Sequence, residues 1–176
     1  MYIEKEIVKR ILSGVCPELE FYEFHSQLTI IVPREKLKDV CLVLRDSEAS
    51  QFDLLLDVTA IDWNKRGARF ETVYFLYSNP LKKRLRIKVP VDGKNPHCPS
   101  VIDIWESADW YERETYDMYG VVFDGHPHLR RFYMPEDFVD PETGEPLHPL
   151  RKDFPLMGVP GSLPLPPYPE KYGNPM

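Results

Sequence analysis

No two cysteines of the chain stand close enough in sequence to share a metal or a cluster. Cys16, Cys41 and Cys98 are the three present, with no Cys-x-x-Cys pair, whereas an ordinary iron–sulfur cluster takes four cysteine ligands. An odd, scattered set implies no disulfide framework, and such single cysteines read as small core residues. Phosphate loops, G-x-G-x-x-G and G-x-S-x-G are missing too, so nucleotide binding and nucleophilic catalysis have no support. Apolar runs are short, as in Leu28 to Val32 broken by Thr29, and a spanning helix needs about 20 such residues. The start, Met1-Tyr2-Ile3-Glu4-Lys5-Glu6, has no basic-then-apolar signal pattern, which predicts a cytosolic or membrane-peripheral place. Positive charge is scarce: 22 Lys+Arg against 28 Asp+Glu give a net −6. Nucleic-acid binding needs a basic footprint and is excluded on that ground.

What is present suffices for one domain. The chain has 176 residues, 43% of them hydrophobic, enough to build a core. Proline divides it: of 18 in all, twelve lie from Pro127 to Pro175. Rings without backbone donors sustain neither helices nor central strands. We therefore expect a globular α+β domain over 1–124 and an extended proline-rich tail over 125–176.

Within the domain, Ile3, Ile7 and Ile11, widened by Val8 and Leu12, predict a helix over 3–13. Leu37, Val40, Cys41 and Leu44 predict a second. Strands are expected at 19–24, 28–32, 52–61 and 70–77. Leu85, Ile87, Val89 and Val91 alternate with Arg84, Arg86, Lys88 and Pro90, the pattern of a sheet with one wet face. Pro90 there marks an edge or a strand end. Ser100 with Asp103 resembles a capping box and Ser107 offers a second N-cap. A helix over 108–119 follows, stopped by Gly120. Strands in succession favour an antiparallel or mixed sheet packed with helices.

The densest polar cluster lies on that last helix. Glu114 and Asp117 are three apart, Arg113 and Asp117 four apart, so each pair shares a face. A carboxylate pair for acid–base work is one reading. A row of ion pairs, solvated or facing an interface, is the other, and the lack of a nearby nucleophile favours it. His126-x-His128, with His148 or Glu112 as a third group, has no recognised ligand spacing, and hydrogen-bonding turn residues are the simpler reading. A short echo pairs His126-Pro127-His128-Leu129-Arg130-Arg131 with His148-Pro149-Leu150-Arg151-Lys152. The cations of Arg130-Arg131 and Arg151-Lys152-Asp153 fit an anionic ligand, a partner's carboxylates or plain solvent. Their setting in extended chain, with no core of its own to order it, favours a partner.

The stretches Glu112–Gly120, Gly125–Arg131 and His148–Pro155 resemble the signature of the 30-kilodalton C-subunit family of proton-pumping NADH–quinone oxidoreductase, respiratory complex I. Asp57–Asp62, Arg84–Val91 and Pro99–Trp105 resemble it as well. His128 departs from the family's usual aspartate, Leu147 from its usual glycine, and Val139 to Leu147 lengthens a loop. The resemblance implies a non-catalytic scaffold subunit, peripheral on the cytoplasmic face of the inner membrane. Its partners would be chiefly the D subunit, which helps form the quinone pocket, with the B and I subunits nearby, and no nucleic acid. Glu112, Arg113, Glu114, Asp117, His126, Arg130, Arg131, His148, Arg151, Lys152 and Asp153 would bind partners. The chain would hold no cofactor, while the whole complex uses FMN, iron–sulfur clusters, NADH and quinone. The equivalent subunit of a membrane-bound hydrogenase or another quinone-reducing dehydrogenase is the alternative. A free-standing metal-dependent enzyme is a third.

Overall fold

The computed structural model describes residues 2–64 and 67–155. A five-stranded sheet is formed by β1 (Glu20–Phe24), β2 (Gln27–Ile31), β3 (Leu54–Asp62), β4 (Phe70–Ser78) and β5 (Lys83–Val91), in the spatial order β1-β2-β5-β4-β3. Neighbours run antiparallel except β2 and β5, which are parallel, so the sheet is mixed. Helices α1 (Lys5–Leu12), α2 (Leu37–Asp46) and α3 (Ala108–Tyr119) complete the α+β fold, and β6 (His97–Pro99) pairs in parallel with β7 (Val122–Asp124).

Side-chain period sets the layers. Leu85, Ile87 and Val89 of β5 stand opposite Leu76, Tyr74 and Thr72 of β4, and all six are buried on one face. Arg84, Arg86 and Lys88 take the other face, where Lys88 meets Glu71 at 3.0 Å and Arg86 donates to Thr29 Oγ1 at 2.8 Å. Val8 and Leu12 of α1 and Leu37, Val40, Cys41 and Leu44 of α2 close the same core. Each such side chain contributes about 1.5–3 kcal/mol by leaving water.

One sequence expectation resolves and another changes. Of edge or strand end, Pro90 marks a strand end, one residue before β5 closes at Val91 and beyond Lys88, the last residue of β5 that β2 pairs. No ladder hydrogen bond to β2 is lost there. Ser100 and Asp103 open no helix: α3 begins at Ala108, and Ser100 instead turns its hydroxyl to Glu112. Ser107 holds the N-cap position, yet makes no side-chain capping bond and donates to the Leu55 carbonyl at 3.2 Å.

The Ser107 contact belongs to a set. Trp105 Nε1 donates to the Phe52 carbonyl at 3.0 Å and Thr115 Oγ1 to that of Val58 at 2.8 Å. Side chains on and just before α3 thus occupy acceptors along β3 and the chain leading into it, which blunts an edge that would otherwise template pairing with another chain. The result fixes α3 against the sheet and aims its remaining faces at residues 125–155.

Candidate functional site

The polar cluster read from the sequence does converge on α3, but its members serve different neighbours. On the core side, Glu112 is fully buried. It accepts from Ser100 Oγ at 2.6 Å and from the Val101 amide at 2.7 Å, tying the chain after β6 to the helix. Removal from water pushes its pKa up to about 7, against the pull of those two donors.

Asp117, also fully buried, gathers a different set. Arg131 Nη1 reaches Oδ1 at 3.0 Å, while the amides of Phe132, Tyr133 and Met134 converge on Oδ2 at 3.2, 2.8 and 2.9 Å. The second guanidinium nitrogen of Arg131 donates to the Leu147 carbonyl at 3.0 Å. A buried carboxylate is tolerated only when paired and hydrogen-bonded, and both conditions are met.

The last carbonyls of a helix lack intrahelical donors. In α3 they are answered from the second His-Pro motif. His148 Nδ1 donates to the Asp117 carbonyl at 3.0 Å, the Leu150 amide to Met118 at 3.1 Å, and Arg151 Nε to Tyr119. Burial keeps the His148 imidazole neutral, with its pKa lowered to about 4. Arg151 brings a cation to the negative end of the helix dipole and lies over the Phe70 ring at 5.3 Å.

Gly120 makes this closure possible. Its φ is +74°, and a Cβ there would stand 2.2 Å from Arg151 Nη2 and 2.5 Å from His148 Nε2. Gly120→Ala is expected to cost roughly 1–2 kcal/mol through the left-handed backbone alone. It should also lift Arg151 off the helix end, so trypsin should cut after Arg151 or Lys152 faster than in the parent protein. Unchanged cleavage would mean that the clamp contributes no protection.

Beside the clamp, Arg69 forms a two-pronged pair with Asp62, at 3.0 and 2.8 Å, and a third contact with Asp153 at 2.8 Å. The amides of Asn64 and Lys152 also point to Asp62. Burial alone would raise the Asp62 pKa, but the Arg69 and amide hydrogen bonds outweigh it and hold it at about 2. The first His-Pro motif docks further up α3. His126 Nε2 lies 3.3 Å from Asp109 Oδ1, and its Nδ1 accepts from the His128 amide at 3.1 Å. Both ring nitrogens are engaged, and among the described residues no three His, Cys, Asp or Glu side chains are placed to hold a metal.

Of the residues expected to reach a partner, Glu112, Asp117, Arg131, His148, Arg151 and Asp153 are thus engaged within the chain. The described part of the expected tail, 125–155, holds no named helix or strand and rests on α3, while 156–176 lie outside the described residues. The reason is the unmet acceptors of α3, invisible to a local pattern. Glu114 is half-buried, with its pKa raised by burial and by Asp57. Arg130 and Lys152 are exposed. The sequence reading passed over Asp62, Arg69, Ser100 and Gly120 as members of this site.

In this α+β domain, charged residues of α3 and of residues 125–155 fasten one segment to one helix. A family model described as "Respiratory-chain NADH dehydrogenase, 30 Kd subunit" matches residues 30–160. The chain belongs to this family. It is 45% identical over 141 residues to the NADH-quinone oxidoreductase C subunit of Geobacter sulfurreducens, covering 80% of this chain and 82% of that one. A relative of the same description from Acidithiobacillus ferrooxidans is 44% identical, over 76% of this chain, and the match spans just 66% of that protein's length. Two solved structures are similar. One is a trypsin-resistant fragment (1–134) of Nqo5, with 31% identity and a TM-score of 0.60 over 70% of this chain and 99% of that one. The other comes from the membrane-bound sulfane sulfur reductase, an archaeal respiratory membrane complex. There the identity is 36% and the TM-score 0.67, over 87% of this chain and 86% of that one.

Proposed function

We propose that the chain is a non-catalytic scaffold subunit in the peripheral arm of a proton-translocating NADH:quinone oxidoreductase. It packs against the quinone-site D subunit, near the B and I subunits, at the cytoplasmic face of the inner membrane. FMN, iron–sulfur clusters, NADH and quinone are handled by its neighbours, and this chain holds none of them. One observation carries the reading: the charged residues of α3 and of both His-Pro motifs are spent largely on intramolecular pairs, with Glu112 and Asp117 sealed from solvent. A catalytic carboxylate has to meet substrate. The family membership supplies the assembly. Among the described residues no helix is long and apolar enough to cross a membrane, in keeping with a peripheral place.

Similarity to the sulfane sulfur reductase structure over 87% of the chain favours a second reading, the equivalent subunit of a related respiratory membrane complex. Tagging the full chain and purifying it from detergent-solubilised membranes separates the two. Co-purification of NADH-oxidising subunits together with the B, D and I subunits is expected. Recovery with hydrogenase-like or sulfur-reducing subunits would establish the second reading, and recovery alone would end both.

A further inference from the structure

Arg113 is an unusual cation. It is 7% exposed, yet no carboxylate pairs with it among the described residues. Its Nε donates to the Arg130 carbonyl at 3.3 Å, and the guanidinium lies against two rings, 4.9 Å from Trp110 and 5.1 Å from Phe132. Those rings meet edge to face at 5.8 Å, and Tyr133 continues the cluster at 4.1 Å from Phe132. The aromatic layer over the cation is itself open to solvent: Trp110 is 58% exposed, Tyr133 56% and Phe132 37%. Arg130, exposed at its rim, also has no ion pair among the described residues.

We propose that Trp110, Phe132 and Tyr133, mounted on Arg113 and edged by Arg130, form a docking knob. Its occupant is a neighbouring protein subunit that offers an apolar pocket with a carboxylate at its mouth. The proposal rests on the assembly role above and names the surface that serves it. Three features support this occupant. Tryptophan, tyrosine and arginine are the side chains that dominate binding energy at protein interfaces. The rings are held in place by the buried guanidinium and by the fixing of residues 132–134 on Asp117, so little ordering remains to oppose docking. Two cations without counter-ions attract a single carboxylate locally. An anionic lipid surface would instead meet the whole chain, whose net charge is −6.

The test places a benzophenone photo-crosslinker at position 110 of the full chain, expressed in its own membranes, and compares Trp110→Ala and Tyr133→Ala with the parent. The expected cross-link joins position 110 to a different subunit, within a segment bearing Asp or Glu. The two alanine variants should keep the parent's thermal midpoint as isolated chains, because both side chains are mostly exposed. Their recovery of neighbouring subunits from detergent extracts should fall about tenfold or more, as for truncated interface hot spots. Cross-linking to lipid, to a second copy or within the chain would overturn the proposal, as would undiminished recovery by both variants. A parent chain that brings down no oxidoreductase subunit would sink the assembly reading. In that case a cross-link to some other protein at an acidic segment would leave the knob standing.

Discussion

Asp117→Ala is expected to lower the unfolding free energy of the isolated chain by about 3–5 kcal/mol, the usual cost of removing one partner of a buried pair. The carboxylate is fully buried and receives four donors, one of them the Arg131 guanidinium, itself 8% exposed. Removing it strands that charge and the amides of residues 132–134 together. Arg131→Ala should cost less, because Asp117 would keep its three amide donors. Asp117→Asn should fall between, since an amide oxygen still accepts while the charge pairing is gone. Urea unfolding followed by tryptophan fluorescence measures all three. A loss below about 1 kcal/mol for Asp117→Ala, the value of an exposed pair, would mean that water reaches the site. The aromatic knob depends on the same residues, so the alanine variant should also weaken subunit recovery. Trp110→Ala separates the two effects by leaving Asp117 intact.

How much of this was legible depended on the range of each signal. The stripe Leu37, Val40, Cys41 and Leu44 is fully buried in α2, and the alternation from Arg84 to Val91 splits β5 between core and wet face as expected. Both are periodic patterns that a short window contains. Gly120 ends α3 as the sequence suggested, for a reason that local chemistry supplies. Ser100 misleads because a hydroxyl followed by an acid at the third position looks the same whether or not its bond goes elsewhere. Here a buried glutamate twelve positions on takes the hydroxyl. The contacts of His148 and Arg151 within the chain were not legible, because proline density denies 125–155 a helix or strand of its own. Their acceptors are the end carbonyls of α3, 31 and 32 positions upstream. Nothing in a window of ten or fifteen residues encodes that pairing. The parallel register of β2 with β5, at 57 positions' separation, was hidden for the same reason.

Two buried groups, one on α3 and one capping its C-terminal end, should make stability depend on pH in opposite senses, and so conceal each other. His148 has its pKa lowered from 6.5 to about 4 by burial. The unfolded chain therefore takes up this proton first, and the contribution of His148 to stability falls as pH drops from 6.5 towards 4. Glu112 has its pKa raised from 4.5 to about 7 by burial. The folded chain holds that proton longer, so the contribution of Glu112 falls as pH rises from 4.5 towards 7. Each is worth about 3 kcal/mol across its window, at about 1.4 kcal/mol per pH unit. Between pH 4.5 and 6.5 the slopes cancel, and these two groups leave the parent protein nearly flat. Single variants expose them. Glu112→Gln keeps an acceptor for the Val101 amide and a donor for Ser100, and leaves His148 uncompensated, so its stability should climb with pH through that window. His148→Asn keeps a donor for the Asp117 carbonyl and leaves Glu112 uncompensated, so its stability should decline instead. The quantity to plot is the difference in unfolding free energy between variant and parent from pH 4.5 to 7, in which all other titrating groups drop out. Opposite slopes are the expected result. A Glu112→Gln curve parallel to the parent's would mean that the two donors keep the carboxylate ionised in the folded protein. In that case Glu112 is a buried anion held by hydrogen bonds alone, and Ser100→Ala would become the costlier substitution.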